Sequence, residues 1–219
     1  MSLSTLLLVL AMQAGAPQVG PTTVVGTAKL KWTAEGRQAS AQLVFSAARN
    51  PSRLRLEVLQ GSQLQALVWC DREDLRVYLP QRRAMYSAEA GREAFEAAFG
   101  LPFCLDELLF ALRGGYHDLP RCAGGDEPTL KIRGGKVVGV DLPGSDRAQL
   151  RFSRFGHEGD HRKPGRVQLR RPGVLAVLTF GTLREGSSPP PPIQMEVRRS
   201  SRPIDAAGLR AQLGLEPRR

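Results

Sequence analysis

The feature that most limits what this chain can become is a period-two alternation of apolar and polar side chains that starts near residue 28 and continues for most of its length. Ala28, Leu30 and Trp32 alternate with Lys29 and Lys31; Ala39, Ala41, Leu43 and Phe45 with Ser40 and Gln42; Leu54, Leu56 and Val58 with Arg53, Arg55 and Glu57. Successive side chains of a strand point to opposite faces, so each run reads as an antiparallel strand with one apolar and one wet face. Leu64 to Cys70 and Asp74 to Leu79 continue the pattern. Turn residues separate the runs at Ala34-Glu35-Gly36, Asn50-Pro51-Ser52, Gly61-Ser62, Asp71-Arg72-Glu73 and Pro80-Gln81. The first part of the chain is therefore expected to be a meander.

The period turns helical between Ala88 and Gly115. Phe95 and Phe99 are four apart, and Leu105, Leu108, Leu109 and Leu112 recur at helical spacing, with Gly100-Leu101-Pro102-Phe103 between the two segments and Gly114-Gly115 after them. Strand patterns then resume at Thr129 to Arg133, Lys136 to Leu142, Ala148 to Phe152, Val167 to Arg171, Val174 to Leu183 and Ile193 to Arg198. Pro189 to Pro192 reads as a stiff connector, and Pro203 to Leu215 as a short terminal helix capped by Asp205. The apolar face of such a sheet must be buried, and two short helices cannot cover it all. The expected fold is mainly β (α+β): an antiparallel half-barrel of about eleven strands with the two short helices as a lid over an apolar interior.

Composition, at 42% hydrophobic and 24% charged residues, excludes a disordered chain and a multi-span membrane protein. Leu3 to Met12 is an apolar run followed by small residues at Ala14 and Ala16, the pattern of a secretory signal peptide over residues 1–16. Residues 17–219 then form a single domain with a short C-terminal tail. The first cysteine is Cys70, so lipid anchoring at the amino terminus is not expected. Cys70, Cys104 and Cys122 are an odd number, which leaves at least one thiol free in an exported protein. A Cys104–Cys122 bridge and three buried thiols both fit the spacing.

The chain carries 31 Lys+Arg against 21 Asp+Glu, a net charge of +10. Residues before Pro120 hold 12 basic and 11 acidic side chains, those after it 19 and 10, so the excess lies in the second half. Arg151, Arg154, Arg162, Lys163, Arg166, Arg170 and Arg171 concentrate it. Such a run meets nucleic acid, anionic lipid or polysaccharide, or is simply a solvated strand face. No helix-turn-helix, RNA-binding strand motif or zinc finger accompanies it, so an anionic membrane surface, not nucleic acid, is the expected partner.

The meander, the segment RLRLEVLQGSQLQALVWCDREDLRVYLPQRRAMY and the segment GLPFCLDELLFALRGG resemble the LolA/LolB-like family of bacterial lipoprotein-localisation factors, and within it the LolB-like and related uncharacterised branches. The compact motif is a Gly-Leu-Pro step at Gly100, Leu101 and Pro102 before the second helix, with Leu108, Leu112 and Gly114 closing it; the resemblance runs from about Thr22 to Val197. It implies a half-barrel whose interior holds acyl chains of a lipoprotein or another lipid, in the periplasm or peripherally at the outer membrane. The sheet lining is then expected from Leu30, Trp32, Leu43, Phe45, Leu56, Val58, Val68 and Val77, and the lid from Phe95, Phe99, Leu105, Leu108 and Leu112. LolB-like proteins present an apolar side chain to the membrane from the loop after the third strand, a place held here by the segment from Leu59 to Leu64. The chain lacks the acylated cysteine of a LolB-type acceptor, which leaves carrier and acceptor roles both open.

No catalytic constellation appears. His157 and His161 with Asp160 lack a clear third metal ligand, His117 sits in Gly/Pro-rich surroundings, and there is no phosphate loop, serine elbow or pair of catalytic carboxylates. The expected protein is a non-catalytic monomer without cofactor or metal. The other reading is a periplasmic scaffold with a filled half-barrel that binds a protein or an anionic polymer.

Overall fold

The computed structural model describes residues 23–34, 37–49, 51–100, 104–112, 129–134, 136–141, 148–155, 164–186, 188, 190 and 200–214. The alternating runs become β1 (Thr23–Ala34), β2 (Arg37–Arg49), β3 (Ser52–Gln60), β4 (Gln63–Cys70) and β5 (Asp74–Leu79), followed by a 3-10 turn at Pro80–Arg82 and β6 (Ala84–Glu89). Helices α1 (Arg92–Phe99) and α2 (Leu105–Leu112) come next, then β7 (Thr129–Arg133), β8 (Lys136–Asp141), β9 (Gln149–Phe155), β10 (Pro164–Arg171), β11 (Val174–Gly186), β12 (Arg202–Pro203) and α3 (Ala206–Leu213).

Among the described residues all the strands join one 12-stranded sheet in the order β12-β6-β5-β4-β3-β2-β1-β11-β10-β9-β8-β7. Neighbours are antiparallel except β12, which runs parallel to β6. The sheet is curved and open: its margins, β12 and β7, do not pair with each other. The half-barrel expectation therefore holds, with differences in detail. The strand Ala84–Glu89 and the two-residue β12 were not expected, whereas the expected strand Ile193–Arg198 lies outside the described residues, as do residues 1–16, Cys122, Arg162, Lys163 and the three histidines.

The junction of the two meanders is β1 against β11, in register from Thr23↔Gly186 to Ala34↔Val174 with a bulge at Thr27/Ala28. At the bulge the Thr182 N–H donates to Thr27 Oγ1 at 3.1 Å, which satisfies a backbone donor that the irregular ladder leaves over. Gly26 is required beside it. A Cβ there would stand 2.4 Å from the Thr182 carbonyl oxygen and 2.8 Å from the Phe45 ring.

The concave side carries two apolar clusters. One joins Val24, Leu43, Phe45, Leu54, Val68, Leu75 and Val77 to Phe95, Leu109, Leu112 and Leu209; the other joins Val140, Leu150, Phe152, Val167 and Leu169 to Phe110 and Ala111. α2 sits between them. Its Leu105, Leu109 and Leu112 face the first cluster and its Phe110 the second, where the ring meets Phe152 edge-on at 5.9 Å. That position explains why LDELLFAL is apolar nearly all round, the mark of a helix with no fully wet face. α1 ends where Gly100 takes a left-handed φ of 67° and its N–H closes on the Glu96 carbonyl.

Candidate functional site

Between the concave face and the helices lies a cavity of about 1500 Å³. Its wall comes from alternate positions of strands across the sheet. Leu30, Trp32, Leu43, Leu56, Val58 and Val68 line it, as do Phe95, Phe99, Leu108 and Leu112 from the helices. Three of the expected residues lie in the packed core instead. Phe45 is buried over Gly26 with its ring edge-on to Phe180 at 6.0 Å, Val77 is buried opposite Tyr86, and Leu105 is buried in the first cluster.

The cavity has a second wall that the sequence reading did not single out: Leu150, Val167, Leu169, Ala176 and Leu178 from β9 to β11, and Leu213 from α3. The same alternation marks the strand residues. What it does not reveal is that the pairing of β1 with β11 brings both meanders to one concave surface.

Strand direction gives the cavity two unlike ends. The chain reverses between β1 and β2, β3 and β4, β5 and β6, and β10 and β11 at the same end of the sheet. Polar lining residues gather there: Gln38, Ser40, Gln60, Gln65, Gln81, Arg82 and Arg171. Arg171 Nη1 also donates to the Gly100 carbonyl at 3.0 Å, which ties the end of α1 to the far half of the sheet.

The segment from Leu59 to Leu64 is the β3–β4 hairpin. Leu59 and Leu64 face each other half-buried, and the exposed tip is Gln60-Gly61-Ser62-Gln63, with Gly61 at a φ of 61°. The basic run divides between the two faces of the sheet. Arg151 lies opposite Gln168, on the same face as Arg166 and Arg170, and the pairing of Lys29 with Thr179 and of Lys31 with Val177 extends that face into β1. This convex face is basic and largely exposed; Arg154 is exposed at the end of β9, with a φ of 58°. Arg171, one residue beyond Arg170, points the other way, into the cavity.

Cys70 is buried and free, and burial first, with Asp71 and Asp74 adding to it, pushes its thiol up to about 12. It is inert by that measure. Cys104 is disulfide-bonded. Among the described residues no group of three His, Cys, Asp or Glu side chains comes together as a metal site.

No protein-family model and no curated protein matches this sequence. Solved structures share its architecture. A Vibrio parahaemolyticus domain assigned to outer membrane lipoprotein sorting superposes with a TM-score of 0.55 at 10% identity, over 81% of this chain and 91% of that one. A DUF1329 family protein from Desulfovibrio piger superposes with a TM-score of 0.52 at 13% identity, over 76% and 87%. A LolA superfamily protein from Nitrosomonas europaea gives 0.46 at 12% identity, over 78% and 89%. The likeness is one of fold alone: this chain shares the open, curved sheet architecture of the lipoprotein-sorting domain and of the DUF1329 protein.

Proposed function

We propose that this chain is a non-catalytic carrier or acceptor of the bacterial envelope, which holds the acyl chains of a lipoprotein or another lipid in its concave cavity on the way to the outer membrane. The observation that carries this reading is the apolar cavity of about 1500 Å³. A packed half-barrel of a purely structural protein would have its side chains in that space, because interiors close to crystal-like density. Each methylene kept out of water gains about 0.8 kcal/mol, so a wall of leucines, valines and phenylalanines of this size favours a long hydrocarbon. The name of one structural neighbour, the Vibrio parahaemolyticus lipoprotein-sorting domain, points the same way, and the oxidised Cys104 fits an oxidising compartment such as the periplasm. The exposed basic rows on the convex face supply a surface for an anionic leaflet in this reading.

The two tryptophans make a direct test. Trp32 lines the cavity, whereas Trp69 is buried on the opposite face of the sheet beside Met85 with the Arg76 guanidinium 5.0 Å from its ring. Delipidated protein titrated with a lipid brominated on its acyl chain is expected to lose Trp32 emission and keep that of Trp69. The Trp69→Phe variant then quenches as the parent does, and Trp32→Phe does not quench. Absence of quenching, together with no lipid on the protein as purified, would sink the carrier reading.

A further inference from the structure

The rim of the cavity carries charge of one sign. Among the described residues that line it are three arginines, Arg82, Arg171 and Arg210, and no aspartate or glutamate. Arg82 stands in the turn between β5 and β6 and Arg171 at the end of β10, both at the end of the sheet where the glutamines gather; Arg210 projects from α3 one turn before Leu213. Neither Arg82 nor Arg210 forms an ion pair among the described residues, and Arg210 Nε is buried there without a hydrogen-bond partner.

A guanidinium stays charged at any physiological pH, and a half-buried one such as Arg210 is costly until an anion meets it, while the exposed Arg82 keeps its fork open to the same anion. A neutral acyl ester at this rim leaves Arg82 and Arg210 without a counter-charge among the described residues. A phosphate accepts from their planar forks in pairs and leaves the hydrocarbon below it on the apolar wall. The volume adds a size argument, since pockets for small ligands run to about 1,000 Å³ and this one is larger. We infer that the occupant is a two-chain lipid with an acidic phosphate headgroup, its chains on the apolar wall and its phosphate at Arg82 and Arg210. The inference rests on the carrier reading and names the class of cargo.

Delipidated full-length protein is incubated with vesicles of equal parts phosphatidylglycerol and phosphatidylcholine of identical chains, doped with palmitate, then re-isolated and its bound lipid quantified by mass spectrometry. Phosphatidylglycerol is expected to exceed phosphatidylcholine by about five- to tenfold. The ratio falls to about one in Arg82→Gln/Arg210→Gln, and Arg82→Lys/Arg210→Lys restores part of it. Circular dichroism verifies the fold of each variant, and the exposed Arg82→Gln alone, expected to lower the ratio in part, serves if the double variant does not fold. Equal uptake of the two phospholipids, an unchanged ratio in a folded variant, or palmitate in their place overturns the headgroup assignment and leaves the carrier reading standing. Uptake of no lipid overturns both.

Discussion

Glu107 is the charged side chain that is fully buried among the described residues. Its Oε2 accepts from the Cys104 N–H at 2.9 Å and its Oε1 from Arg92 Nη2 at 3.0 Å. Cys104 precedes α2 and its carbonyl accepts from the Leu108 N–H, so the carboxylate reaches back to cap the helix from its first turn. Burial nevertheless outweighs both contacts and raises its pKa above the ordinary carboxylate value, with Asp106 adding to the rise. The folded protein thus binds this proton more tightly than the unfolded chain does. Its contribution is complete below the ordinary carboxylate range and is lost as pH rises through the raised pKa. Urea unfolding from pH 4 to 8 is expected to show a shallower pH slope in Glu107→Gln than in the parent; parallel profiles would contradict this. The sequence conceals the cap because cysteine, not serine or threonine, holds the position before the helix, and the arginine comes from another element. The basic run divides for a similar local reason. Adjacent residues in a strand face opposite ways, so a cluster in sequence that includes Arg170 and Arg171 divides into an outer surface and a cavity rim.

Strands with one wet face were legible, and the strand covered on both faces, β6, was not. The helix α3 announced itself through Asp205, whose side chain accepts from the Gly208 N–H at 2.7 Å. Its Leu209 is buried in the first cluster, and the chain just before the helix is fixed to β6 by Ile204 N–H to the Met85 carbonyl at 3.0 Å. Asp205→Ala is expected to cost about 1 kcal/mol of global stability, measured by denaturant unfolding. No loss would mean that α3 frays without weakening the rest. β6 escaped notice for a physical reason: Met85 is buried against Trp69 on one face while Ala84 and Tyr86 are buried on the other, so AMYSAE has no clean alternation. The two residues of β12 are too few to carry any period. Depth along a strand is equally silent, which is why Phe45 and Val77 lie on the expected face yet below the floor of the cavity.

At the scale of the molecule, support is uneven. The first cluster takes in β1 to β6 and all three helices, whereas the second rests on β8 to β11 and one side of α2. β7 lies at the margin with most of its residues exposed, Ile132 at 65%. Regions with few buried contacts open first. Hydrogen exchange is therefore expected to proceed through β7 and β8 well before β2 to β5, and the reverse order would refute this picture of where the stability lies. The margins also set the mechanics of the whole. A closed cylinder has its radius fixed by strand number and stagger. An open leaf whose margins never meet can bend across its strands with every ladder bond kept. In the carrier reading such a wall is a compliant vessel: it would accommodate cargo of different length and branching at little elastic cost, and leave discrimination to the arginines at its rim, Arg82 in a turn and Arg210 on α3.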